Sequence, residues 1–279
     1  MILKNSFFGF LFLFLITGCN SKFEHSFTEE EIEEEVKKHT VHPLIIEKKG
    51  IKLTEFVDYP PFEDVTLSLL TENVRFRQGK NNLSFNINKF NLGEKTVAET
   101  EVDLKVNQAG QNLTLVTSNN KLQKHYRGEF EYEFAEGTNY FLTYLSRSYE
   151  VSLKAQGSFA LFKAVTDQIK GEISVDKNEK MLVLNNPLQG ESFKKDTKIL
   201  LDFFLVNFSL EGTGNYLILT INNELFKLKK WSPFMIEGLD YGVYEIELKA
   251  FNQKGEQLKG AILKSPKVTI EVKEDIVFE

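Results

Sequence analysis

An all-β fold built as two tandem sandwiches is what this sequence predicts, on three observations. Apolar residues recur with a period of two from Phe56 onward, turn signals interrupt those runs at short intervals, and one half of the body repeats in the other. The period is plain in Leu83-Ser84-Phe85-Asn86-Ile87, Val102-Asp103-Leu104-Lys105-Val106 and Phe130-Glu131-Tyr132-Glu133-Phe134. Alternation places one set of side chains in a core and the other in water, which is the pattern of a half-buried strand. Gln78-Gly79-Lys80-Asn81-Asn82, Ala109-Gly110-Gln111-Asn112, Glu136-Gly137-Thr138-Asn139 and Glu211-Gly212-Thr213-Gly214-Asn215 carry the glycine and asparagine that tight turns demand.

The repeat shows when the halves are laid over each other. Leu83-Ser84-Phe85 with Phe90-Asn91-Leu92 matches Leu201-Asp202-Phe203 with Phe208-Ser209-Leu210. Leu113-Thr114-Leu115 leading to Asn119-Asn120-Lys121-Leu122 matches Leu217-Ile218-Leu219 leading to Asn222-Asn223-Glu224-Leu225, and Phe134-Ala135-Glu136-Gly137 matches Met235-Ile236-Glu237-Gly238. The three matches keep one order, so the body divides into a first sandwich over 56–165, a linker over 166–179, a second sandwich over 180–273 and a tail over 274–279. Asp202 interrupts the apolar run Ile199 to Leu205, and its counterpart is Ser84. An Asp-for-Ser exchange between copies reads as a solvent-facing position that breaks up a sticky strand. Trp231, just before Ser232-Pro233-Phe234, reads as core or rim.

Ahead of the body, Lys4 precedes an apolar run from Phe7 to Ile16 that ends in Ile16-Thr17-Gly18-Cys19. That run is shorter than the roughly 20 residues a membrane-spanning helix needs, and the order of its parts is that of a secretory leader. Residues 1–18 are therefore expected to be removed and Cys19 to carry lipid. Cys19 is the only cysteine, so it has no disulfide to form. Asn20 stands where an aspartate would favour retention at the inner membrane, which directs the expectation to the outer membrane of a Gram-negative cell. Residues 19–55 read as a tether, with Thr28 and Glu31 forming a capping box ahead of an acid-first, base-last helix. His39 and His42 flank that segment's end without a third ligand and read as surface residues.

Composition narrows the chemistry. A net charge of −6 lacks the basic footprint of a nucleic-acid surface. Hydrophobic residues at 42%, with 25 Phe and 9 Tyr, supply a core without disulfides. From Phe56 onward there is one histidine, His125, and no cysteine, which removes most nucleophile and zinc arrangements. No carboxylate pair stands out and no phosphate loop or dinucleotide fingerprint occurs, so no catalytic residue, metal site or cofactor is expected.

Four segments carry a resemblance: Tyr144 to Lys154, Leu200 to Asn207, Thr220 to Asn223, and Trp231 to Leu239. Together they resemble Gram-negative envelope lipoproteins with tandem immunoglobulin-like modules, of the kind labelled phosphopeptide-binding protein. The resemblance implies immunoglobulin-like sandwiches and a binding role. In that family the first module tends to carry a His-x-His strand after Gly-Gln, upstream of a His-Tyr pair. Gly110-Gln111 and His125-Tyr126 fit, while Asn112 and Thr114 occupy the histidine positions.

All four arginines (Arg75, Arg77, Arg127 and Arg147) lie in the first copy. Guanidinium groups suit bidentate contacts with phosphate or carboxylate, so these residues, with His125, are the candidate ligand contacts. The expected role is non-catalytic binding of a protein or peptide, anionic or phosphorylated, by a membrane-anchored module. A structural or assembly subunit whose edge strands pair with partners is one alternative. Glycan binding through Tyr126, Tyr140 and Tyr144 is another.

Overall fold

The computed structural model describes residues 43–57, 62, 64–71, 76–96, 104, 108–117, 121–167 and 171–274, which form one compact unit beginning at Pro43. The leader, Cys19, the capping-box helix, His39, His42, the expected strand over 102–106 apart from Leu104, and Arg75 lie outside the described residues.

Each sandwich sets a three-stranded sheet against a four-stranded one, and the two copies share a strand order. In the first, β3 (Thr66–Leu69), β4 (Gly79–Asn88) and β7 (Glu129–Phe134) face β9 (Phe159–Thr166), β8 (Gly137–Ser146), β5 (Asn112–Thr117) and β6 (Leu122–His125). In the second, β11 (Met181–Asn186), β13 (Ile199–Val206) and β16 (Phe234–Glu237) face β18 (Lys267–Lys273), β17 (Gly242–Phe251), β14 (Tyr216–Ile221) and β15 (Glu224–Leu228). The repeat read from the sequence is thus a repeat of topology, and Leu83 and Leu201 sit at the same place in it. One pairing needs correction. Leu83 opposes Phe130 and Leu201 opposes Phe234, so Glu133, rather than Glu136, stands where Glu237 stands.

The copies differ in the strands added at their edges. β10 (Gly171–Val175) pairs antiparallel with β9, whereas β12 (Ser192–Lys194) pairs parallel with β18. β10 corrects the expected linker over 166–179: its Ile173 is in the first core, and only residues 176–180 connect the sandwiches.

The tether expected over 19–55 is also corrected. β1 (Ile45–Lys48) and β2 (Ile51–Glu55) form a hairpin that extends the second sandwich, with β2 on β16 and Leu53 opposite Ile236. Ile51 and Leu53 bury themselves in the second core. The two loop residues, Lys49 and Gly50, have φ of 48° and 83°, the left-handed pair a two-residue hairpin requires. Gly238 is needed where the hairpin passes, because a Cβ there would stand 2.0 Å from the Gly50 carbonyl oxygen. The segment Ile45-Ile46-Glu47-Lys48 is too short for its period to stand out beside the acidic run.

Three cores stack in sequence. One lies within each sandwich, built from inward residues such as Leu83, Phe85, Phe141 and Phe162 in the first and Leu201, Phe203, Leu219 and Ile246 in the second. The third lies between the sandwiches, where Val116, Leu142, Tyr144 and Leu161 of the first meet Met181, Val183, Phe204 and Val206 of the second. Strands that serve two cores read as continuous apolar runs, as in Met181-Leu182-Val183-Leu184.

Candidate functional site at the joint of the two sandwiches

After β8 the chain folds back sharply. Arg147 donates its N–H to the Val151 carbonyl (2.9 Å), Glu150 donates to the Arg147 carbonyl (3.0 Å), and Glu150 takes a left-handed φ of 68°. The bend carries Ser152 and Lys154 to the outer face of β13, where Asp202 is fully buried. One carboxylate oxygen of Asp202 accepts from the Ser152 N–H (3.0 Å), the Ser152 hydroxyl (2.6 Å) and Asn185 Nδ2 (2.8 Å). The other accepts from Lys154 Nζ at 2.6 Å. Lys154 Nζ also donates to the Phe203 carbonyl and lies 5.4 Å and 5.8 Å from the ring centroids of Phe204 and Trp231. A buried carboxylate persists when its lone pairs are satisfied in this way.

The network crosses from one sandwich to the other. Tyr144 donates its hydroxyl to Asn185 Oδ1 (2.7 Å) and stacks on Phe204 with ring centroids 4.5 Å apart. Burial, reinforced by the charge of Asp202, pushes the Tyr144 phenol well above its ordinary pKa, so it stays a donor. Asn185 and Asn186 donate through Nδ2 to the Glu150 carbonyl, at 2.9 and 3.0 Å. Asn112 and Thr114 are buried beside Tyr144, and Thr114 donates to Asn112 Oδ1.

The expectation that Asp202 faces solvent is therefore wrong. Its side chain points outward from its own sandwich, and that outward face is covered by the other one. Trp231 is on the rim, as read: its indole N–H donates to the Phe203 carbonyl (3.1 Å), and its ring meets Phe204 edge-on at 5.1 Å.

A cleft of about 680 Å³ opens at the mouth of this joint. Lys124, Tyr149 and Glu150 line it from the first sandwich, and Asn186, Leu188, Lys194, Lys198 and Leu200 from the second. Lys124 and Glu150 are bridged at 2.6 Å. Glu191, also in the wall, accepts from the Leu188 N–H (2.8 Å).

The arginines do not converge. Arg147 is 1% exposed, with its guanidinium carbon 4.4 Å from the Phe62 ring centroid and 5.7 Å from that of Tyr149. Such a cage spends the cation on aromatic faces and withholds it from a ligand in solution. Arg77 and Arg127 are exposed but precede opposite ends of the β4–β7 ladder. The Gly79–Phe134 and Ser84–Glu129 pairs that mark those ends are separated by five residues, about 17 Å along a strand. His125 is half-buried, its ring stacked on Phe130 at 3.5 Å, and burial pushes its pKa down. Of the three candidate tyrosines, Tyr144 is fully buried, and Tyr126 and Tyr140 are half-buried.

The residues that sequence reading missed are Asp202, Lys154 and Asn185 in the network and Lys194 and Lys198 in the cleft. A signal for Lys154 and Asp202 exists in the sequence. They lie in the segments Tyr144 to Lys154 and Leu200 to Asn207, which the fold brings together with Trp231 and Asn185 at the joint.

No protein-family model matches the chain, and no curated protein matches it. Among solved structures it is similar to fibronectin(III)-like modules of Clostridium thermocellum CbhA, at 10% identity, a TM-score of 0.27, and coverage of 75% of this chain and 95% of that one. It is similar also to the Bacteroides ovatus mixed-linkage glucan utilization locus protein SGBP-B in complex with a mixed-linkage heptasaccharide (7%, 0.23, 75% and 71%) and to chicken CNTN1 FN1-FN3 domains (8%, 0.23, 75% and 66%). At these scores the superpositions carry no argument, and the fold rests on the sheet topology itself.

Proposed function

We propose that this chain is a lipid-anchored envelope protein, held at Cys19, whose fused sandwiches present one preformed cleft to a protein or peptide ligand and act without catalysis. The observation that carries the reading is the cleft at the joint, walled by both sandwiches and seated on a buried polar network and a third core. A site whose walls are fixed in advance loses little conformational freedom on binding. Lys124, Lys194 and Lys198 beside Tyr149, Leu188 and Leu200 suit a segment with acidic and apolar side chains. A non-catalytic role is supported by where the carboxylates go. Glu150 and Glu191 are engaged within the cleft wall by Lys124 and by the Leu188 N–H, and Asp202 is engaged across the joint by Lys154. The leader and its cysteine box support the anchor.

A photoreactive residue placed at Lys198 in intact cells tests the site. A discrete cross-linked adduct is expected from position 198 and not from Leu225, which is exposed on β15. Equal adducts from both, or none from 198, contradict the reading. The anchor is tested separately by Cys19→Ala, which should abolish incorporation of a fatty-acid analogue.

A further inference from the structure

The repeat allows one edge to be compared with its twin. In the second sandwich the edge of β16 is occupied by β2 and β1, with Lys52 bridged to Glu237 at 3.2 Å and Thr54 donating to the same carboxylate. Lys48 and Lys49 reach Glu224 on β15, at 3.4 and 2.6 Å, and so close that side of the sandwich. The twin of β16 is β7, and among the described residues β7 is the last strand of its sheet.

The register fixes what β7 presents. Ser84 accepts from the Leu70 N–H on the β3 side, and Phe85 donates to the Gly128 carbonyl on the β7 side. Strand alternation then turns the backbone groups of Phe130, Tyr132 and Phe134 toward β4, and those of Glu129, Glu131 and Glu133 toward the open edge. The three glutamates are exposed, and Glu131 is bridged at the surface to Lys80 of β4 at 2.8 Å. Glu133 is the residue that corresponds to Glu237, the one that receives Lys52 in the second sandwich. No proline interrupts Glu129–Phe134 to blunt this edge.

We propose that the open edge of β7 accepts an extended, lysine- or arginine-bearing segment of another polypeptide as an added antiparallel strand. Charge selects the occupant. A second copy of β7 would set glutamate against glutamate, and the chain's own run Glu29 to Glu35 would do the same, whereas basic residues at alternate positions meet Glu129, Glu131 and Glu133 as cross-strand partners. Main-chain hydrogen bonds supply the attachment and the carboxylates the selection. This surface is separate from the cleft.

The probe is a short synthetic peptide of alternating lysine and valine, titrated by fluorescence anisotropy against the mature chain near physiological salt. An alternating glutamate–valine peptide is the control. Binding of the lysine peptide alone is expected. Glu131→Gln with Glu133→Gln should weaken it by about ten-fold, the scale of a lost charge-assisted contact. Glu131→Pro, which deletes an outward N–H and is tolerated at a sheet edge, should abolish it while circular dichroism stays unchanged. Lys198→Glu in the cleft should leave it unaltered. Failure of the lysine peptide to bind overturns the proposal. So does undiminished binding to the proline variant, which would mean attraction by charge alone on an edge merely protected by its glutamates.

Discussion

Ser84 and Asp202 occupy the same place in the two sandwiches, the middle strand of the three-stranded sheet, and both point away from their own core. Ser84 is half-buried at the outer surface of the molecule, while Asp202 is sealed under the neighbouring sandwich with four donors around its carboxylate. β16 and β7 repeat the lesson at an edge: one is covered by the hairpin β1–β2, the other is bare among the described residues. A duplicated unit thus keeps its inner face and strand order while its outer faces and edges diverge according to what covers them. The second sandwich is completed from outside itself, by a hairpin that precedes the first sandwich in the chain and by the bend from Arg147 to Lys154.

The largest effect should follow from removing that completion. A fragment of residues 180–273 lacks β1 and β2, leaves Asp202 without Ser152 and Lys154, and exposes the apolar face of Met181, Val183, Phe204 and Val206. It is expected to be insoluble or to lack a dispersed amide spectrum, whereas residues 43–279 fold. Within the intact chain, Leu53→Ala should cost about 2–5 kcal/mol, the range for an emptied core leucine, in urea unfolding.

The twin positions give the sharpest contrast. Asp202→Ala strands the Lys154 ammonium and should destabilise by about 3–5 kcal/mol, as breaking a buried pair does. Ser84→Ala, at the surface, should fall within about 0.5 kcal/mol. Equal costs would mean that the joint contributes nothing.

A smaller effect concerns the hairpin's end. Glu55 is nearly buried, which by itself would raise its pKa, but Lys230 at 2.5 Å, the Leu44 N–H and the Ser232 hydroxyl together hold it below the ordinary value. A carboxyl whose folded pKa lies below its unfolded one contributes stability that is full above the unfolded value and is lost as pH falls through the folded one. Stability should therefore drop as pH falls below 4.5, the ordinary glutamate value, and Glu55→Gln should flatten that slope. An unchanged slope in the variant contradicts the assignment.

How much was legible in the sequence follows from the same contrast. Period-two patterning and the repeat point to strands in both copies because inner faces obey local rules, while the order of those strands across the sheets is seen only in the fold. The joint was written in β13, where Leu201-Asp202-Phe203-Phe204-Leu205-Val206 is apolar on both faces while its twin Leu83-Ser84-Phe85-Asn86-Ile87 alternates. What no local pattern states is which element covers an outer face. For that reason the sequence points to an exposed Asp202 and a ligand-contacting Arg147, although both are buried by residues distant in sequence.

The joint carries the only tryptophan in the chain, Trp231, packed against Phe204 and Phe159. Urea unfolding followed at once by Trp231 fluorescence and far-ultraviolet circular dichroism therefore asks directly whether the two sandwiches are one cooperative body. One transition with coincident midpoints is expected, because the third core and the Asp202 network must open together with the strands they bind. A fluorescence change completed at lower urea, followed by a separate loss of β-structure, would show that the joint opens while the sandwiches stand, and would contradict it.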